Sequence, residues 1–178
     1  MKKNEILNIT ICSIMAAVSI ILEKFVSLDL GMGIKLTFYG LPLMIVGIMF
    51  GVKLGLLTGI VTGAIIQLTS PYGISVTSIF WALAPIVWGT LSAIMYLVFK
   101  KSNNFIALVC VVLITSLSAT IVNTLAMILE GIIFADEYYA FANVIANVPI
   151  RFLSMVILVI PYALLLKSII RIKFVKND

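Results

Sequence analysis

The sequence predicts an all-α membrane protein: a six-helix transmembrane bundle with both termini on the cytoplasmic side. Apolar residues make up 63% of the 178-residue chain and charged residues 11%, a balance no soluble domain of this size could keep dissolved. The few charges fall in the joints between long apolar runs. The basic ones gather in alternate joints, which become one side of the membrane.

A bilayer core about 30 Å thick takes roughly 20 apolar residues per helix, so the length accommodates a single integral domain over residues 1–178. The expected spans are 6–27, 38–50, 53–69, 75–99, 105–134 and 141–170. The opening Met1-Lys2-Lys3-Asn4-Glu5 resembles the start of a signal peptide, but the apolar run from Ile6 passes Val18 without a small-residue cleavage site and reads as a retained first helix. The second and third spans are short, divided only by Gly51-Val52-Lys53, and are expected to tilt or to lie partly buried among the others. Gly47, Gly51, Gly55, Gly59 and Gly63 recur every fourth residue, which lines small residues along one helix face and allows close approach of another helix. The first two of these glycines also suit the turn near Lys53. Ser70-Pro71-Tyr72-Gly73 leads into the fourth span, and Asp136-Glu137-Tyr138-Tyr139 separates the last two.

With both termini inside, the cytoplasmic joints hold Lys2, Lys3, Lys53, Lys100, Lys101, Lys167, Arg171, Lys173 and Lys176, nine of the twelve basic residues. The net charge of +5 is then a consequence of topology, and dispersal of the basic residues among short joints gives no nucleic-acid surface. The stretch from Lys167 to Phe174 suits anionic lipid headgroups. Histidine is absent, which removes the commonest general base, proton relay and metal ligand together. Cys12 and Cys110 each lie within an apolar run and read as packing residues, so no disulfide, metal site or cofactor is expected.

Three basic residues remain on the outer half: Lys24, Lys35 and Arg151. Arg151 lies within the last apolar run, where an unpaired guanidinium is costly. It either pairs with Glu130 or snorkels to the interface, or it meets an anionic solute entering from outside, the reading we favour. Lys35 suits an interfacial anchor or a ligand contact equally. Lys24 reads as an interfacial charge beside Glu23 or Asp29. Aromatic residues gather on the same side, among them Phe38, Tyr39, Tyr72 and Trp81, and an interfacial belt alone would place some of them there. Their company is more informative. Rings together with the amides Gln67, Asn123 and Asn147 and one or two cations suit a heteroaromatic ligand carrying a carboxylate.

Taken in order, these segments resemble the substrate-binding S components of energy-coupling factor (ECF) vitamin transporters, most closely the folate-type group. The resemblance rests on Ile21-Leu22-Glu23-Lys24-Phe25-Val26-Ser27, on Ile34-Lys35-Leu36-Thr37-Phe38 with Leu41-Pro42, and on Gly47-Ile48-Met49-Phe50-Gly51. It continues in Pro71-Tyr72-Gly73-Ile74-Ser75-Val76-Thr77-Ser78, Asn123-Thr124 and Pro149-Ile150-Arg151. Two departures stand out: Phe38-Tyr39-Gly40-Leu41-Pro42 in place of a Phe-Gly-Phe-Leu-Pro run, and the unusual span near Trp81, Pro85 and Trp88. Sister S components, for pantothenate among others, share the layout.

The resemblance implies a capture subunit for a vitamin, folate or a derivative first, with a pocket near the extracellular side of a bacterial cell membrane. It implies no catalytic site, and the chain has no Gly-Lys-Ser/Thr phosphate loop, so energy must come from a transmembrane coupling subunit and two ATPase subunits. The small face at Ser13 and Ala17, with Cys12 and Ala16 beside it, is similar to the docking surface of such proteins. A small secondary transporter or channel acting alone is the rival class, since intramembrane charge also marks ion paths. A membrane enzyme would need a nucleophile or metal cluster, for which scattered Ser and Asp without His give little material.

Overall fold

The computed structural model describes residues 3–29, 35–71, 74–134 and 141–175. The elements run α1 (Lys3–Phe25), β1 (Leu28–Asp29), β2 (Lys35–Leu36), α2 (Gly40–Phe50), α3 (Val52–Leu68), α4 (Ser78–Trp81), α5 (Leu83–Val98), α6 (Phe105–Phe134) and α7 (Phe141–Val175). Among the described residues, four stretches are long and apolar enough to cross a membrane: Glu5–Phe25, Ser78–Val98, Phe105–Phe134 and Phe141–Arg171. Ile6, Leu7, Ile106, Val156, Ile157 and Ile160 are among the many large apolar side chains they leave exposed, as lipid-facing helices require.

The second apolar run forms a helix of only 11 residues, about 16 Å at 1.5 Å per residue. It falls well short of a bilayer core, and it is the helix most enclosed by the others, buried from Pro42 to Ile48. A single residue, Gly51, joins it to α3 with φ at +88°, a conformation glycine adopts without steric cost. The depth that α2 leaves unfilled is the depth at which the cavity described below sits.

The run expected as one span over 75–99 is helical from Ser78 to Val98, with α4 and α5 meeting at Ala82, whose φ of −69° and ψ of −16° stay helical. Ser75 and Ser78 close a turn ahead of α4: the Ser75 backbone N–H donates to Ser78 Oγ (3.0 Å) and the Ser78 N–H to the Ser75 carbonyl (3.1 Å). Between α1 and α2 the chain makes a two-residue antiparallel ladder, Leu28 opposite Leu36 and Asp29 opposite Lys35.

The glycine stripe finds its partner inside the chain. A Cβ added to Gly47 or Gly55 would meet the Gly89 carbonyl oxygen of α5 at 2.1 and 2.3 Å, one on Gly59 would meet Ile86 and Pro85 at 2.8 Å, and one on Gly63 the Ala82 oxygen at 2.7 Å. Backbones touch along this whole seam, which larger residues would force apart.

Successive long helices run in opposite directions. Glu5 and Asn8 of α1 share a groove with Lys53 and Leu54 of α3, and Lys101 shares another with Gly51 and Ile170, so the starts of α1 and α3 and the ends of α2, α5 and α7 lie together. Lys53, Lys100, Lys101, Lys167 and Arg171 therefore occupy one end of the bundle. The apolar core fills that half: Met44, Ile48, Leu108, Val112, Val159, Tyr162 and Leu166 pack between α2, α5, α6 and α7.

Candidate functional site

The opposite end of the bundle encloses a cavity of about 190 Å³. Every long element contributes to it through one register. From α6 come Ser116, Thr120, Asn123 and Met127, at spacings of four, three and four that keep them on one face. From α7 come Arg151, Ser154, Met155 and Leu158, also one face. Trp81, Pro85 and Trp88 line it from α4 and α5, Ile66 and Gln67 from the end of α3, Glu23 from the end of α1, and Leu36, Thr37 and Tyr39 from the segment entering α2.

Several contacts hold these groups in place. Tyr39 is 7% exposed, and its phenol interacts with the side chains of Asn123 and Trp88. Gly40 lies flat against the Trp88 indole, where an added Cβ would come within 2.6 Å of the ring. Trp88 in turn packs at 6.2 Å, tilted by 55°, on Tyr162, whose hydroxyl donates to the Thr37 carbonyl (3.3 Å). The Arg151 guanidinium donates toward Met127 Sδ across the α6–α7 contact, and Ser154 Oγ donates to the Arg151 carbonyl (2.8 Å). Trp81 Nε1 donates to Glu130 Oε2 at 2.5 Å, so the carboxylate considered above as a partner for Arg151 is engaged by an indole.

Of the residues expected to bind ligand, Arg151, Tyr39, Gln67, Trp81 and Asn123 meet in this cavity. Phe38 packs against the apolar core, and Asn147 donates from Nδ2 to the Asn143 carbonyl of its own helix (2.9 Å); neither lines the cavity. Tyr72 and the Lys35 side chain lie outside the described residues, although Lys35 is placed in β2. Lys24 donates to the carbonyls of Ile66 (3.3 Å) and Thr69 (2.9 Å), closing the C-terminal end of α3 in the position where a cation is favoured. Glu23, Trp88, Ser116, Thr120, Met127 and Ser154 were not anticipated. The hydroxyl and amide stripe of α6 carried a usable signal, because polar residues at helical spacing in an apolar span must face away from lipid.

The Cys12, Ser13, Ala16 and Ala17 face divides in two. Cys12 and Ala16 are each 6% exposed and turn inward, with Cys12 near Thr58 of α3, while Ser13 and Ala17 remain exposed.

A ring-walled hollow with amides, hydroxyls and both signs of charge is equipped to hold a polar heteroaromatic molecule. Comparison with known proteins agrees with a carrier. The crystal structure of the S component for biotin from an ECF-type ABC transporter superposes with a TM-score of 0.68 at 16% identity, covering 96% of this chain and 94% of that one, and so shares the fold. No match emerged among curated protein sequences. The family model described as "ECF-type riboflavin transporter, S component" matches residues 3–171, nearly the whole chain. This multi-pass membrane protein therefore belongs to the family of S components of ECF-type riboflavin transporters.

Proposed function

We propose that the protein captures riboflavin, or a close flavin, from the outer side of a bacterial cell membrane and delivers it inward. The work is done by a transmembrane coupling subunit and two ATPase subunits, and the chain performs no chemistry of its own. One observation carries the reading. Two indoles and a buried phenol wall a cavity whose remaining lining combines apolar side chains such as Ile66, Met127 and Leu158 with amides, hydroxyls, Glu23 and Arg151. An isoalloxazine offers flat faces for the rings, an imide edge of alternating carbonyls and N–H for Asn123 and Gln67, and a polyol chain for Ser116, Thr120 and Ser154. Arg151 donates to ligand oxygens, and Glu23 accepts from ligand N–H or O–H groups. The match of the riboflavin family model supports the same ligand.

In this reading α2 and α3 complete six crossings and both termini lie inside. The lysines and Arg171 at the far end of the bundle support that orientation, since basic residues stay on the cytoplasmic side. The exposed Ser13 and Ala17 offer the small-residue face for the coupling subunit.

Arg151 in the cavity also favours a second ligand, a folate-type vitamin whose glutamate carboxylates it would pair. The match of the riboflavin family model puts the flavin first. Absorption spectroscopy of the detergent-purified protein after incubation with both vitamins decides between them. We expect visible flavin absorption that co-elutes with the protein. A pterin spectrum without flavin would move the ligand to the folate type, and no retained vitamin of either kind would overturn the assignment.

A further inference from the structure

Glu130 is the one charged residue of the 30-residue helix α6, and it does not line the cavity. A carboxylate within an apolar span is costly to keep unless it does something there. Its contact is with Trp81, whose Nε1 donates to Glu130 Oε2 at 2.5 Å, and Trp81 does line the cavity. The setting explains why the indole needs a tether. Trp81 sits where α4 meets α5, and Pro85 four residues on has no N–H to return to its carbonyl, so the turn that carries the indole is held by one backbone hydrogen bond fewer than a regular helix supplies. α6, by contrast, is long and packed against both α5 and α7.

We propose that Glu130 is a positioning residue for ligand recognition: it borrows the rigidity of α6 to hold the Trp81 ring against the cavity, so that a flat heteroaromatic ligand meets an already oriented wall. The proposal rests on the flavin reading above for the identity of the ligand, but not for the tether itself. A charge-assisted bond of this kind is stronger than a neutral one and directional, which suits it to fixing an indole plane. Pre-orientation lowers the ordering cost that binding would otherwise meet.

The test is a double-mutant cycle with riboflavin as the probe, on Glu130→Ala, Trp81→Phe and the double variant, with Glu130→Gln as the conservative control. We expect Glu130→Ala to weaken riboflavin binding roughly 10-fold, in the range for a lost hydrogen bond to a charged group. Glu130→Gln, whose amide oxygen still accepts the indole proton, should recover most of that loss. Adding Glu130→Ala to Trp81→Phe should cost nothing further, because the tether has nothing left to hold. Undiminished loss in the Trp81→Phe background, or no loss at all in Glu130→Ala, overturns the proposal.

A second readout separates the two claims. The chain has two tryptophans, so ligand-free protein carrying Trp88→Phe reports Trp81 emission alone. Glu130→Ala should shift and broaden that emission. If wild-type protein does not bind riboflavin while the emission responds, the flavin assignment fails and the tether stands. An unresponsive emission removes the tether whatever the ligand.

Discussion

At the scale of the residue, Arg151 and Glu23 give the cavity its character, since both bring a formal charge to a hollow otherwise walled by rings, amides, hydroxyls and apolar side chains. Arg151→Ala should weaken vitamin binding roughly 10- to 100-fold, the range for losing hydrogen bonds from a charged donor. The circular dichroism and detergent elution of the variant should match those of wild type, because the residue is set among cavity groups and not in the core; isothermal titration on the folded variant checks this. Arg151, Tyr39, Gln67, Trp81 and Asn123 were legible in the sequence because polar or aromatic residues in apolar runs are rare enough to be noticed one by one. Glu23 was not, because a carboxylate near the end of a span looks the same whether it faces water or a cavity. Trp88 was noticed only as an oddity, since its role depends on Gly40 lying flat beneath it and on Tyr39 across the chain. Phe38 and Asn147 carry the right chemistry and sit close by in sequence, yet they turn to the core and to their own helix.

At the scale of the element, the seam between α3 and α5 governs stability. Gly55→Leu places a side chain where a Cβ alone would lie 2.3 Å from the Gly89 oxygen, so the helices must separate. We expect a loss on the order of 3 kcal/mol, read as a lowered melting temperature in detergent, with Gly51→Ala acting differently. No atom lies within 4 Å of a Cβ at Gly51, so its cost comes only from the backbone, whose φ of +88° and ψ of 178° lie in a region nearly confined to glycine, and should be about 1–3 kcal/mol. The four-residue repeat announced the seam, but nothing in it told which helix would fill the other side. α6 runs over the residues expected for it. The ladder between Leu28–Asp29 and Lys35–Leu36 escaped the sequence, because two-residue strands are too short for an alternating pattern to register.

For the whole molecule, the arrangement is a packed half and a hollow half, with the cations gathered at the packed end. Membrane-impermeant thiol labelling of whole cells should leave Lys100→Cys and Lys101→Cys unmodified until the membrane is opened. Labelling from outside would invert the proposed orientation. Ala17→Trp projects bulk from the exposed face of α1 and should leave vitamin affinity within about 2-fold, as expected of a surface change away from the site, while lowering uptake by the assembled transporter. Normal uptake would exclude that face from docking. Reconstituted alone, the protein should retain ligand without dissipating an ion gradient, which separates it from a secondary carrier.

The contact of bare backbones along α3 and α5 has a mechanical corollary. Ala82, Pro85 and Ile86 rest directly on Gly63 and Gly59, and Trp81 and Pro85 also border the hollow. With no flexible side chains between the two rods to absorb a displacement, a guest that presses on the indole wall must shift α3 as well. α3 forms one bank of the groove shared with α1, so occupancy at one end can be felt along the flank where the coupling subunit is proposed to grip.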